Sequence, residues 1–220
     1  MSWRRRIGAA AVALGTFIGV TATTATGPAG AAGMTTHAWM AESAIDLVDD
    51  PALSALLHAH LDQVWAGARF PDGGYGPGNV HGEEAHWQRF FDVYADILAA
   101  KDCGDDLADP DGPCAAQIAH FLGMIGHGTG DEVWDWLFEP NSPDLDEYYT
   151  HPDFGGFDDP GGQELIMDLV AIGVHDRPGG NPPPLPSVDD LLEAFEISGQ
   201  AGVTAEQLEN GQTYIGVVYQ

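Results

Sequence analysis

Basic residues are scarce in this chain. Its 220 residues include seven Lys and Arg against 34 Asp and Glu, for a formal net charge of −27. So acidic a surface repels nucleic acid and anionic membranes at long range, which argues against a stable nucleic-acid partner. Cysteine is nearly absent, with Cys103 and Cys114 the two present. They bracket KDCGDDLADPDGPC with no histidine nearby, which makes a poor metal site. In an exported chain they are expected to close that loop as a disulfide. Strand-type alternation, internal repeats and a glycine-rich phosphate loop are also missing. Disorder is argued against, because 44% of the residues are hydrophobic and 10% aromatic.

The amino terminus holds three of the seven basic residues, Arg4, Arg5 and Arg6. They head an apolar run from Ile7 to Val20, too short for a transmembrane helix. Ala29-Gly30-Ala31 then offers a small-residue cleavage site. Residues 1–31 are therefore expected to be a secretory signal, and 32–220 one secreted domain. After cleavage four basic residues face all 34 acids, a net charge of −30.

Apolar residues recur at helical spacing through most of the remainder. Helices are expected over 34–49, capped by Thr35 or Thr36, and over 51–65 with Pro51 in the first turn. Further helices are expected over 83–101, 115–137, 163–174, 188–197 and 205–219. Gly/Pro-rich loops separate them at 66–80 and 139–162, with a turn at 178–186. The fold class is all-α, a multi-helix bundle.

The stretch Ala115 to Leu137 organises the rest. Phe121, Met124, Ile125, Val133, Trp134 and Leu137 make its apolar stripe. His127, Asp131 and Asp135 are each four apart and share one helix face. A histidine and two carboxylates stacked in this way can converge on metal ions, although a lone His–Asp pair more often just hydrogen-bonds. Further ligand-type residues lie in apolar or loop-edge settings: His37, Asp72, His86, Asp159, Glu164 and Asp168. Burying so many ionisable groups without a cation would be costly. His58 and His60 are expected at the surface. His120 is expected behind the site and His81 as a rival to His86. His175 follows a helix end, where a cationic ring is favoured. Trp39, Trp65, Trp87, Trp134 and Trp136 are expected mostly in the core.

This set resembles the zinc-dependent phospholipase C family, together with the amino-terminal catalytic domain of glycosylphosphatidylinositol-specific phospholipases. The pieces are THAWMAESAIDLV, ARFPDGGY around Asp72, EAHW around His86, FLGMIGHGTGDEVWD on the central helix and DPGGQEL near Asp159. They run in order from Thr35 to Asp168. The resemblance implies an all-α bundle, of the type shared with the fungal single-strand nucleases, carrying two or three zinc ions. His37 would bind one ion, Asp131 would bridge two, and His86 and His127 would hold another. Asp72 would touch the cluster or act as the catalytic base. The third ion departs from the family pattern. Asp135 stands at its first ligand position, and the others must come from Asp159, Glu164, Asp168 or His151. An oxygen-rich third site admits another divalent metal.

The function these readings imply is secreted, metal-dependent phosphodiester hydrolysis of the phospholipase C or D type. The substrate would be a phospholipid headgroup, met in transient contact with a membrane surface by a monomeric enzyme. The alternatives are a metal-dependent nuclease of the same fold and a non-catalytic metal-binding domain. The nuclease is disfavoured by the acidic charge and by the lack of that group's W-G-x-x-G-H opening.

Overall fold

The computed structural model describes residues 33–134, 161–175 and 181–217, with side chains in the middle segment described from Met167 onward. The expected signal segment, Asp135, Asp159, His151 and Trp136 lie outside these residues, as does the side chain of Glu164. Every regular element among the described residues is helical. The all-α expectation holds.

The chain opens with α1 (Met34–Ile45), α2 (Pro51–Ala59) and α3 (Leu61–Gly67). Asp50 starts α2, its carboxylate accepting from the backbone N–H groups of Ala52 and Leu53 at 3.0 and 3.3 Å. This satisfies donors that have no partner inside the helix. The expected helix over 51–65 is two helices, because His60 leaves the helical region (φ −119°, ψ 38°). Its ring N–H donates to the Pro110 carbonyl at 2.7 Å, tying the break to the cysteine loop. The capping expectation for α1 is corrected as well. Thr35 and Thr36 lie inside the helix, and the capping acceptor is Asp168, far along the chain.

Two short helices follow, α4 (Phe70–Gly73) inside the expected loop and α5 (Gly82–Ala85). The expected helix over 83–101 is interrupted at Trp87, whose backbone is extended (ψ 145°), so α6 runs Gln88–Ala100. After a 3-10 turn (Cys103–Ala108) comes the central helix α7 (Ala115–Val133), then α8 (Gly161–His175), α9 (Val188–Ser198) and α10 (Ala205–Val217).

The core gathers around α7. Ile118, Phe121, Leu122 and Met124 are buried in one cluster with Leu56, Leu57, Val64, Phe70, Phe90, Tyr94 and Phe195. Burial of each such side chain contributes about 1.5–3 kcal/mol relative to exposure. A polar knot closes the far end. Asp190, on α9, accepts from Lys101 and from Gln117 Nε2 (2.7 Å), whose amide also donates to the Tyr94 hydroxyl (2.9 Å).

Cys103 and Cys114 form a disulfide, with Cα atoms 5.4 Å apart. Cys103 is fully buried, and the Cys114 N–H donates to Asp106 at 2.8 Å. Replacing both cysteines with serine should lower the unfolding free energy by about 2–3 kcal/mol, the loop-closure scale for so short a ring. Urea titration of the two proteins under non-reducing conditions measures this. Equal midpoints would refute it.

Candidate metal centre

The geometry starts with how closely α3 and α7 approach. A Cβ on Gly67 would overlap the His120 carbonyl oxygen, and one on Gly123 would overlap that of Val64. Only hydrogen at these two positions lets the backbones touch. The contact brings the end of α3 against α7, where the Ala68 carbonyl accepts a hydrogen bond from His127 Nδ1 at 2.8 Å. Gly123→Ala should therefore cost about 1–3 kcal/mol of overpacking and loosen the anchor on His127. Thermal unfolding together with the His127 ring-nitrogen chemical shift reports both effects. An unchanged melting temperature would contradict it.

His86 is fixed in the same manner. It follows α5, and its Nδ1–H donates to the Gly82 carbonyl at 2.7 Å. A carbonyl only accepts, so in both rings Nδ1 carries the hydrogen and Nε2 faces the site. The two Nε2 atoms are 2.9 Å apart. Two lone pairs cannot be neighbours at that distance unless a proton or a cation lies between them.

Two carboxylates complete the group. Asp72 Oδ1, from α4, lies 3.7 Å from each of the two Nε2 atoms. Asp131 Oδ2, one turn beyond His127, lies 3.2 Å from His127 Nε2 and 3.5 Å from His86 Nε2. These separations bracket the edge of a tetrahedron with metal–ligand bonds of about 2.0–2.1 Å, which is about 3.3 Å. The donor set is one that could hold a metal ion.

Asp131 also reaches the other way. Its Oδ1 lies 3.0 Å from His37 Nε2. The His37 ring is buried and stacks on that of His127, with centroids 3.8 Å apart. His37, His127 and Asp131 thus form a second group of proximal donors. The one free nitrogen of His127 already faces His86, so His37 and Asp131 Oδ1 are the donors left for another ion among the described residues.

The charges are mutually set. Burial opposes a charge on His37, but Asp131, with Asp72 and Asp168, outweighs it and the pKa is raised. Burial likewise opposes charge on His86, and Asp72 and Asp131 outweigh it, so that pKa too is raised. Burial pushes the Asp72 and Asp131 carboxyls up, and the surrounding imidazoles, His127 foremost, hold both below the ordinary range.

Five residues expected to converge do so: His37, Asp72, His86, His127 and Asp131. Asp168 instead latches α8 to the start of α1, accepting from Thr36 N–H at 2.8 Å and Thr36 Oγ1 at 2.9 Å. Gly33 is required there, because a Cβ would overlap the Asp168 carboxylate. His81 is no rival to His86. It is buried against Phe70 and Phe195, and burial alone pushes its pKa down to about 4. His120 packs on Phe70 from another helix and is pushed down to about 3. Both act as neutral core rings. His58 is exposed as expected, His60 is half-buried, and His175 stacks on Trp39. Trp87 departs from its core expectation, being 50% exposed beside the site. Its Nε1–H donates to Glu83 at 3.0 Å, and the Tyr75 hydroxyl donates to the other oxygen of that carboxylate at 3.2 Å.

The backbone carbonyls of Ala68 and Gly82 and the Asp168 latch were not foreseen from sequence. The pair Gly67 and Gly123 was the available signal for the close helix contact. The fold and site together define an all-α protein with a buried His/Asp donor cluster able to hold a metal. No protein-family model, curated protein or solved structure matches the chain.

Proposed function

We propose that the chain is a secreted, zinc-dependent phosphodiester hydrolase of the phospholipase C or D type. One observation carries the reading. The Nε2 atoms of His86 and His127 face each other at 2.9 Å with both Nδ1–H groups already donated to carbonyls, and two carboxylates flank them. His86, His127, Asp72 and Asp131 would hold one ion, and His37 with Asp131 would contribute to another. A bound zinc supplies Lewis acidity towards a phosphate oxygen and a water of lowered pKa.

The chain's own groups set the rest. Ala68 and Gly82 hold the two imidazoles in one tautomer, so the site is ordered before a ligand arrives. The depressed pKa of Asp72 suits it to hold a cation and makes it a weak proton acceptor, which favours its ligand role over its role as base. The exposed aromatics Tyr75 and Trp87, braced by Glu83, form one rim. The net charge of −27 favours a phospholipid over a polyanion as substrate. The disulfide and the amino-terminal signal support export.

The test pairs elemental analysis of the purified protein with turnover of phosphatidylcholine and of single-stranded DNA, each before and after chelation. Bound zinc with chelator-sensitive cleavage of the lipid is expected. Cleavage of DNA alone would assign the nuclease, and zinc without turnover of either would assign a binding domain.

A further inference from the structure

Asp72 and His86 come from one continuous stretch, residues 72–86, and α10 packs along it. The buried side of α10 is Leu208, Gly211, Gln212 and Ile215, spaced as one helix face. At Gly211 the helix backbone meets the stretch in two places. A Cβ there would sit 3.0 Å from the Gly73 carbonyl oxygen, next to Asp72, and 3.0 Å from Cε1 of the His81 ring. Gly73 shows the same approach from its own side, since its Cβ would lie 2.8 Å from the Gly211 carbonyl oxygen. Between these contacts the loop follows α10. A Cβ on Gly76 would lie 3.0 Å from the Tyr214 ring, and Gln207 Nε2 donates to the Gly78 carbonyl at 3.1 Å. We propose that Gly211 is a positioning residue for the metal centre, and that α10, which supplies none of the clustered donors, sets where Asp72 and His86 stand relative to His127 and Asp131. The proposal rests on the metal-holding part of the reading above and not on the reaction.

Three observations carry it. First, neither neighbour of Gly211 has room to yield alone. The His81 ring is fully buried and packs on Phe70 and Phe195. The Gly73 carbonyl is held by the Gly76 N–H at 3.1 Å and by Asn79 Nδ2 at 2.8 Å. Second, both contacts reach donors through the backbone. Gly73 directly follows Asp72. His81 directly precedes Gly82, whose carbonyl holds His86 Nδ1 at 2.7 Å. Gly74 presses on the same residue, because its Cβ would overlap the Gly82 nitrogen. The two donor segments are thus locked to each other, and a displacement at Gly211 is passed to both. Third, the donors opposite are seated elsewhere. His127 is anchored to Ala68 at the end of α3, and it shares α7 with Asp131. A shift of the 72–86 stretch therefore alters the 2.9 Å between the two Nε2 atoms and the 3.7 Å from Asp72 Oδ1 to His127 Nε2. A metal site tolerates changes of only about 0.2 Å in its bonds.

The experiment adds one methyl group. Gly211→Ala should lower zinc affinity about tenfold or more, measured by competition with a chelator well below the melting temperature. Gly216→Ala is the control. It lies on the same helix, but its Cβ would meet Pro182 Cδ at 2.8 Å instead. Both changes favour the helix equally, so they differ in what they touch. Gly216→Ala should keep the affinity. In the metal-free protein the ring-nitrogen signals of His86 should shift in Gly211→Ala, while His127 Nδ1, held by Ala68, should not. Gln207→Glu keeps the acceptor for the Thr204 N–H and loses the donor to Gly78. It should weaken zinc binding by less, and it carries the test if Gly211→Ala does not fold.

Unchanged zinc affinity and His86 signals in folded Gly211→Ala would overturn the proposal. Equal losses in Gly211→Ala and Gly216→Ala would also overturn it, because α10 would then act through fold stability alone. If the parent protein takes up no zinc, the hydrolase reading fails, and the His86 signals of the metal-free variants decide the positioning role by themselves.

Discussion

Replacing Asp131 with asparagine is expected to remove more than one metal ion per chain and to lower phosphodiester turnover on the order of a hundredfold or more. The reason is its position between two groups of donors. Oδ1 faces His37 at 3.0 Å, and Oδ2 faces His127 and His86 at 3.2 and 3.5 Å. Asparagine keeps the shape but offers one neutral oxygen and an N–H pair where two anionic oxygens stood. If Asp131 merely oriented the two imidazoles, the amide would keep one such contact. Metal content would then be unchanged, and the cost would be confined to about 1–3 kcal/mol of stability. Zinc stoichiometry of the purified variant separates these outcomes, and an unchanged value removes the bridge.

Acid should strip the metal. With both Nδ1 atoms donating to carbonyls, the Nε2 atoms of His86 and His127 take either a proton or a cation. The carboxylates that attract a cation also raise the pKa of His86 and of His37 in the metal-free site, after outweighing burial. Apparent zinc affinity should therefore fall about tenfold per pH unit for each proton displaced, once the pH is below those raised values. Folding stability follows with opposite signs in the two forms. A raised histidine pKa contributes stability to the metal-free protein that is fully present below the unfolded value of about 6.5. That contribution is lost as pH rises through the folded pKa. The metal-loaded form, whose nitrogens carry no proton, gains as pH rises through the unfolded value of about 6.5 and is level above it. The gap between the melting temperatures of loaded and chelated protein should thus widen as pH rises through about 6.5 and on through the raised pKa values of His37 and His86. A constant gap would show that protons and metal do not share these nitrogens.

The sequence carried the part of the site that is periodic. His127 and Asp131 are a helical turn apart, so their common face needs no tertiary information, and both are within the central helix. His37, Asp72 and His86 came from ordered motifs, since nothing local says that the first turn of α1, the short α4 and the residue after α5 meet. What stayed hidden is what tertiary contact decides. The carbonyls of Ala68 and Gly82 orient the imidazoles, and backbone oxygens leave no mark in a sequence. The acid at Asp168 has the composition of a ligand and the position of a cap. Helix existence was readable from apolar spacing. The breaks at His60 and Trp87 were not, because a ring bonded to a distant loop and an extended residue preceding α6 override local preference.

The hydrogen bonds from Thr36 to Asp168 join residues 132 apart. During synthesis from the amino terminus, all five clustered donors exist before the residue that seats the first turn of α1 is made. His37 lies in that turn, its N–H bonded to the Gly33 carbonyl at 3.0 Å. The first turn of α1 thus has its acceptor only once α8 has docked, whereas the contacts of His37 with Asp131 and His127 need nothing beyond α7. A chain that stops short of Asp168 would carry every donor and yet leave the Thr36 N–H and hydroxyl at the start of α1 without this acceptor.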